Sequence, residues 1–221
     1  MYLLLYLATF VTCSLASASS FTVFIDGEAG TTGLQVRDRL STRTDLTLLT
    51  PPDELRKDDK TRRAFLNKAD ACILCLPDAA SKQAVDWLAE DKNEKTIIID
   101  ASTAFRTDPT FTYGLPELNK DQKACIARSK RISNPGCYPT GFISLVSPLV
   151  TAQLLAKDSL LTVNAVSGYS GGGKPLMKLY EGKEGDCEPV RATARARRRR
   201  SARSRCEEIV QETKGSALRR A

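Results

Sequence analysis

The sequence predicts an α/β protein built on a parallel sheet covered by helices. Two observations support this fold class. Short apolar strands alternate with helical stretches from Phe21 onward, which is the order of a parallel sheet covered by helices. A further apolar helix then opens directly after a Pro-Gly turn at 135–136.

The individual elements follow from runs of aliphatic and β-branched residues and from the turn residues between them. Strands are predicted at 21–26, 46–50, 70–76, 96–100 and 161–166. Helices are predicted from Leu34 to about Leu40, from Ser81 to about Ala89, and from the turn before Pro139 onward. Pro139 suits a first helical turn because its ring fixes φ near the helical value.

A glycine-rich turn, GEAGTTG at 27–33, joins the first strand to its helix. Glycines let the main chain approach a pyrophosphate, and the helix N-terminus that follows offers N–H donors to its oxygens. This position predicts a Rossmann-like dinucleotide site, with a plain strand-to-helix turn as the alternative. The candidate contacts are Gly27, Gly30, Thr31, Thr32 and Gly33.

The end of the second strand bears on the choice of cofactor. An NAD site usually places an acid there for the ribose hydroxyls, but this strand ends at Thr50-Pro51-Pro52 and Asp53 comes late. A carboxylate would repel the 2′-phosphate of NADP. The neutral strand end therefore favours NADP.

Cys137 lies in the run NPGCYPTG at 134–141, where a sharp turn leads directly into an apolar helix. The unpaired N–H groups and the positive dipole at a helix N-terminus favour a thiolate over a thiol. A buried structural cysteine is the alternative, but a core position rarely needs two prolines and two glycines around it. Cys137 is therefore the predicted nucleophile.

Polar loops at the carboxyl ends of the predicted strands supply further candidates, because open parallel sheets bind their ligands at that edge. Arg106 is a candidate fork for a carboxylate or phosphate, and a solvated surface arginine is an equal alternative. A second glycine-rich loop at 167–174 includes Gly171 and Gly172, but its spacing is not that of a Walker P-loop.

The charge of the chain is unevenly distributed. The formal net charge is +7, but the segment 191–205 holds eight arginines and no acid. The remainder is close to neutral, so the globular part has no basic character that calls for a nucleic acid partner.

The cysteine pattern argues against a disulfide framework. Seven cysteines at irregular spacings indicate a reducing compartment. Cys72 and Cys75 form a C-x-x-C, but on a strand they point to opposite faces, and the chain has no histidine or second pair to complete a metal site. We therefore expect these two cysteines to pack in the core and expect no metal.

Six sequence blocks, taken together and in order, resemble N-acetyl-gamma-glutamyl-phosphate reductases of the shorter type. They are FIDGEAGTTGLQVRDRL, CILCLPDAASKQAV, IIDASTAFR, YGLPELNK, SNPGCYPTGFISL and NAVSGYSGGGK. The resemblance runs from about Phe21 to Lys183. It implies a Rossmann-like, doubly wound NADP-binding domain with a parallel sheet, joined to an incomplete α+β substrate and dimerisation domain that self-associates.

The resemblance also implies a reaction in arginine biosynthesis. Cys137 would attack the acyl phosphate of N-acetyl-glutamyl phosphate, expel phosphate and hold the acyl group as a thioester. NADPH would then reduce the thioester to N-acetylglutamate semialdehyde. The glycine turn at 27–33 and the loop at 171–173 would hold the cofactor. Ser102, Arg106 and Asn134 are expected to contact the substrate.

Four segments are therefore expected along the chain. Residues 21–135 form the NADP-binding Rossmann domain, and residues 136–183 form the start of the substrate domain with the nucleophile helix. Residues 1–20 are an apolar appendage that resembles a signal peptide but lacks a basic start. Residues 184–221 form an arginine-rich, disordered tail.

The departures from the family open two alternatives. The resembled enzymes supply a catalytic histidine from their later half, whereas this chain contains no histidine. The change in composition after about Glu184 is what a reading-frame shift or a wrongly assigned exon would produce, and an evolved basic tail is the other interpretation. A catalytically inactive nucleotide-binding remnant and an aspartate-semialdehyde dehydrogenase-like enzyme are the alternative functions. We expect a cytoplasmic location and no membrane association, unless residues 1–20 direct the chain elsewhere.

Overall fold

A computed structural model describes residues 20–156, 158–166, 177, 181 and 191–195. Strands and α-helices alternate from Phe21 to the helix that begins at Cys137, except that two strands, at 97–100 and 112–113, follow each other directly. The eight strands in these ranges are β1 Phe21–Asp26, β2 Leu46–Leu49, β3 Ala71–Leu74, β4 Ile97–Asp100, β5 Thr112–Tyr113, β6 Arg131–Ser133, β7 Thr162–Val166 and β8 Arg191–Arg195. The α-helices between residues 20 and 166 are α1 Thr31–Ser41, α2 Asp59–Lys68, α3 Asp78–Glu90, α4 Gln122–Arg128 and α5 Cys137–Thr151.

Six of the strands form one sheet in the order β2-β1-β3-β4-β6-β5, and every neighbouring pair in it is parallel. The chain leaves β1 toward β2 on one side and returns to β3 on the other. The strand order therefore reverses between β1 and β3, which is the crevice where open α/β sheets bind their ligands. The predicted fold class, a doubly wound parallel sheet, is confirmed.

The main core lies between the sheet and the helix pair α2 and α3. Its buried members share aliphatic or aromatic character, apart from the thiol of Cys72, and include Phe24, Leu66, Cys72, Leu74, Leu88 and Ile98. These residues make β1, β3 and β4 the central strands, buried on both sides as parallel strands usually are.

A smaller core anchors the helix that begins at Cys137. Ile143 of α5 is buried against Tyr113 of β5 and Leu115 just after it. The side chain of Gln122, in α4, donates to the carbonyl oxygen of Tyr113 and is itself buried. Through Ile143, α5 packs against the edge of the sheet that β5 forms.

The strand predictions agree with the structure for β1, β2, β3, β4 and β7, within two residues at each end. The sequence did not predict α2, α4, β5 or β6. The two missed strands have only two and three residues, too few to show a period of alternation. Only Arg62 and Leu66 of α2 are buried, which leaves that helix with a weak apolar pattern.

Residues 184–221 were predicted to be an arginine-rich, disordered tail, and the structure describes residues 191–195 of that segment. These form β8, which pairs antiparallel with β7 from Thr162↔Arg195 to Val166↔Arg191. The backbone of β7 presents a strand edge, and an edge accepts a further strand through main-chain hydrogen bonds. Arg-Ala-Thr-Ala-Arg also alternates with a period of two, a pattern that the high arginine content of the segment concealed.

No helix in the described part of the chain is long and apolar enough to cross a membrane. The apolar run at the start, for which a signal-like role was predicted, lies before Ser20, the first residue that the structure describes.

Candidate active site

The glycine turn after β1 is closely packed against the end of β3. Gly27 has φ +85°, and a Cβ on it would collide with the carbonyl oxygen of Cys75. The N–H of Cys75 donates to the carbonyl oxygen of Asp26 at 2.8 Å. A side chain at Gly33 would place its Cβ 2.7 Å from the Cα of Glu28. Both glycines are therefore required for the turn to close over the reversal point of the sheet.

The turn opens the helix α1 in the manner required for anion binding. Gly30 is the N-cap, its N–H donates to the carbonyl oxygen of Gly27 at 2.9 Å, and no side chain caps the helix end. Thr31 and Thr32 are the first helical residues and lie at the half-buried to exposed rim. Helix N-termini with uncapped N–H groups favour phosphate oxygens. The residues present thus fit a dinucleotide pyrophosphate.

Glu28 is the one acid within this turn, and it is buried. Its carboxylate forms an ion pair with Arg37 of α1. The neighbouring guanidinium compensates a negative charge that would otherwise repel a phosphate at the same helix end.

A buried ion pair lies at the end of β1, between Asp26 and Arg62 of α2. Asp26 accepts from Arg62 of α2 through both carboxylate oxygens, with Nη2 3.0 Å from Oδ2 and Nε 3.2 Å from each oxygen. The guanidinium also lies 5.0 Å from the ring centroid of Trp87 of α3 and pairs with Asp59. Burial works to lower the pKa of Arg62, but the hydrogen bonds and charge of Asp26 outweigh it and raise that pKa. This ion pair was not predicted from the sequence, although an aspartate at the end of a buried strand indicates that a charged partner lies nearby.

Asp100, the last residue of β4, forms a hydrogen bond with the loop that follows the strand. Like Asp26, it was not predicted as a site residue from the sequence. Asp100 is fully buried, and its Oδ2 accepts from the hydroxyl of Ser102 at 2.7 Å. The Ser102 oxygen in turn accepts from the N–H of Ala104 at 3.1 Å. Burial raises the pKa of the Asp100 carboxyl, and the hydrogen bond from Ser102 opposes that rise. The Ser102 hydroxyl, a predicted substrate contact, is thus buried and already hydrogen-bonded within the loop.

Arg106 contacts the turn at 134–136, which precedes Cys137. Its Nε donates to the carbonyl oxygen of Asn134 at 3.1 Å, and its Nη2 donates to that of Ala101 at 3.3 Å. The side chain is buried, and a Cβ added to Gly136 would lie 2.6 Å from Nη1. The guanidinium therefore joins the loop after β4 to the loop after β6.

Cys137 is the first residue of α5 and is exposed. Gly136 is the N-cap without a side-chain partner, and its carbonyl oxygen accepts from the N–H of Thr140 at 3.0 Å and from its hydroxyl at 2.8 Å. Pro139 is buried in the first turn, as its fixed φ allows. An exposed thiol at an uncapped helix N-terminus has the geometry of an activated nucleophile.

The structure brings Arg106, Asn134 and the turn before Cys137 together at the carboxyl edge of β4 and β6. Ser102 lies in the loop after β4 and is hydrogen-bonded to Asp100. The glycine turn lies along the same edge at β1 and β3. Gly171 and Gly172, predicted to contact the cofactor, lie outside the described residues. Roles for all of these residues remain predictions.

The C-x-x-C residues differ in their surroundings. Cys72 is part of the main core, and burial raises the pKa of its thiol. Cys75 lies just past the end of β3 and is half-buried, and burial raises the pKa of its thiol to about 11. No group of histidine, cysteine or acidic residues in the described ranges is placed to hold a metal ion.

Two family models match the chain. The model described as semialdehyde dehydrogenase, NAD binding domain, matches residues 23–125, and the model described as semialdehyde dehydrogenase, dimerisation domain, matches residues 137–189. The first begins in β1 and the second begins at Cys137. The chain belongs to the semialdehyde dehydrogenase family, and a nicotinamide dinucleotide is the cofactor class of its first domain.

Curated relatives narrow the similarity within that family. An N-acetyl-gamma-glutamyl-phosphate reductase of Chelativorans sp. is 52% identical over 164 residues, which are 74% of this chain and 52% of the relative. The N-acetyl-gamma-glutamyl-phosphate reductase 2 of Pseudomonas putida is 54% identical over 159 residues, 72% of this chain and 50% of the relative. The chain spans about half the length of these relatives. The predicted resemblance to this type of reductase is confirmed.

Solved structures agree on the fold. An aspartate semialdehyde dehydrogenase from Francisella tularensis matches with a TM-score of 0.54 at 20% sequence identity. The match covers 72% of this chain and 47% of the chain of that enzyme. Aspartate semialdehyde dehydrogenase II from Vibrio cholerae, complexed with ASA, has a TM-score of 0.54 at 18% identity, over 77% of this chain and 56% of its own. At such identities the likeness concerns the fold alone.

Proposed function

We propose that the chain carries the nucleotide-binding and nucleophile parts of an N-acetyl-gamma-glutamyl-phosphate reductase. The observation that carries the proposal is Cys137, exposed at the uncapped N-terminus of α5 and directly after Gly136, which lies against the buried guanidinium of Arg106. The identity to curated reductases, 52% over 164 aligned residues and 54% over 159, supports this substrate class.

Cys137 is the nucleophile in this proposal. Its thiolate forms a C–S bond with the carbonyl carbon of the acyl phosphate, and the C–O bond to phosphate breaks. Phosphate leaves with the electron pair, and the acyl group stays on Cys137 as a thioester. The thioester carbon would accept a hydride from NADPH, and cleavage of the C–S bond would then release the semialdehyde and restore the thiolate.

Three groups near Cys137 bind and orient the substrate. Arg106 supplies the positive charge for a phosphate or carboxylate, since a planar guanidinium matches both anions. Asn134 is exposed beside the turn and offers a side-chain amide. Ser102 contributes through the loop that its hydrogen bonds shape.

The glycine turn holds the cofactor, with the N–H groups at the start of α1 and the hydroxyls of Thr31 and Thr32 around its pyrophosphate. NADPH, when bound, supplies the hydride that reduces the thioester. The end of β2 supports NADP over NAD, because Thr50-Pro51-Pro52 carries no carboxylate and Asp53 is paired with Arg56 at 3.5 Å. Gly171 and Gly172 complete the cofactor site in this proposal. The dimerisation-type domain implies a homo-oligomer.

The test is phosphate-dependent reduction of NADP by N-acetylglutamate semialdehyde, run on the full chain and on Cys137→Ser. We expect activity in the parent chain, loss of activity in Cys137→Ser, and retention in Cys125→Ser, because Cys125 is exposed on α4 outside the site. Aspartate semialdehyde as substrate and NAD as cofactor are the specificity controls. Equal activity of Cys137→Ser and the parent chain would contradict the proposal.

Nucleotide binding is measured separately. NADPH fluorescence titration is expected to show binding in the parent chain and in Cys137→Ser. Binding without turnover would identify the chain as a nucleotide-binding remnant.

A further inference from the structure

Asp100 contacts the nucleophile turn through its main chain. It ends β4 opposite Ser133 of β6, and its carbonyl oxygen accepts from the N–H of Asn134 at 2.7 Å. Asn134 lies three residues before Cys137. The position of Asp100 thus sets where the chain leaves β6 to form the turn.

The side chain of Asp100 folds the neighbouring loop. Its Oδ2 accepts from Ser102, whose oxygen accepts from the N–H of Ala104. This arrangement turns the chain so that Arg106 reaches back to the carbonyl oxygens of Ala101 and Asn134. Asp100 therefore holds both sides of a closed connection, one through its carbonyl and one through its carboxylate.

The cost of placing a carboxylate here argues that it serves a purpose. Asp100 is 0% exposed, and burial raises the pKa of its carboxyl in spite of the opposing hydrogen bonds from Ser102 and Ser81. Burying a carboxyl is unfavourable, and such groups in native structures call for an explanation. A site where geometry matters more than stability provides one.

We propose that Asp100 is a positioning residue for the nucleophile. By holding the loop at 101–106 and the guanidinium of Arg106, it keeps the turn at 134–136 in the shape that places Cys137 at the first position of α5. This inference rests on the proposed function, since it takes Cys137 as the nucleophile.

The test is the rate at which iodoacetamide alkylates Cys137 at neutral pH, followed by mass spectrometry of peptides, with Cys125 in the same chain as reference. No substrate or cofactor is needed. We expect Asp100→Ala to slow alkylation of Cys137 about two- to fivefold, the size of a helix-terminus effect. Loss of a nearby negative charge alone would favour the thiolate and accelerate the reaction, so slowing reports on position.

Two variants separate the causes. Asp100→Asn keeps an acceptor for the Ser102 hydroxyl and removes any charge, so its rate is expected at or above that of the parent chain. Asp70→Ala is the matched control, because Asp70 accepts from the N–H and hydroxyl of Thr22 at 2.8 and 2.7 Å at the opposite edge of the sheet. Its Cys137 rate is expected to be unchanged.

The outcomes are distinguishable. Asp100→Ala with the parental rate, with acceleration, or with slowing that Asp70→Ala shares would overturn the positioning role. If Asp100→Ala does not fold by circular dichroism, Ser102→Ala decides: slowing supports the proposal and the parental rate overturns it. A parental Cys137 no faster than Cys125 would overturn the nucleophile of the proposed function, and the positioning role with it.

Discussion

Gly136 and the guanidinium of Arg106 are in close contact at the turn before Cys137. The guanidinium occupies the space where any other residue at 136 would place its Cβ. Arg106 is held there by two main-chain carbonyl oxygens, so it cannot move aside without breaking a hydrogen bond. The turn and the arginine therefore depend on each other.

Gly136→Ala is predicted to displace Arg106 and slow the alkylation of Cys137, because the new Cβ would lie 2.6 Å from Nη1. The matched control is Gly141→Ala in the same helix, where nothing lies within 4 Å of the added Cβ. That change is expected to stabilise the chain by about 0.5–1 kcal/mol, since glycine in a helix interior is unfavourable. Thermal unfolding and cysteine alkylation measure both effects. A Gly136→Ala chain with parental reactivity would show that Arg106 does not shape the turn.

At the scale of elements, α2 and α3 are joined to the sheet by the pair Asp26 and Arg62 as well as by apolar contacts. The carboxylate is buried, and the guanidinium lies between it and the ring of Trp87. Asp26 directly precedes Gly27, so the pair also supports the glycine turn. Removal of one partner leaves the other charge without compensation.

Arg62→Met is predicted to lower the free energy of unfolding by about 3–5 kcal/mol, the cost of leaving Asp26 buried and unpaired. The double variant Asp26→Asn with Arg62→Met is expected to recover part of that loss. Arg63→Met is the control on the same helix, because Arg63 pairs with Glu90 and Asp91 nearer the surface. Urea unfolding followed by circular dichroism measures all three. Equal losses for Arg62→Met and Arg63→Met would contradict the role of burial.

At the scale of the whole molecule, the second half of α5 presents an apolar face. Leu145 and Leu149 lie four residues apart on that face and are 74% and 44% exposed, and Leu154 just beyond the helix is 78% exposed. Adjacent exposed leucines on one face promote association in water.

Leu145→Lys is predicted to reduce concentration-dependent self-association without lowering the melting temperature, because Leu145 contributes little to either core. Ser144→Lys adds the same charge at an exposed neighbouring position and is the control. Analytical ultracentrifugation over a range of concentrations measures the effect. Equal association in both variants would show that the leucine face is not responsible.

The local signals in the sequence were strong where one residue pattern specifies one geometry. Alternation of apolar runs and turns located β1 to β4. The glycine at 27 was identified as part of a tight turn, and the structure shows the positive φ that only glycine adopts without strain. Cys137 was placed at a helix start by the prolines and glycines around it, and it is the first residue of α5.

Contacts between distant parts of the chain decided the rest. β5, β6 and β8 are strands because a neighbouring edge pairs with them, which short or arginine-rich segments do not reveal. Asp26 and Asp100 are buried next to partners that are distant in the sequence. Arg62 lies 36 residues from Asp26, and Asn134, whose N–H bonds to the carbonyl oxygen of Asp100, follows a different strand. Such hydrogen bonds and such burial depend on which strand ends lie side by side in the folded sheet. A local sequence pattern does not specify that arrangement.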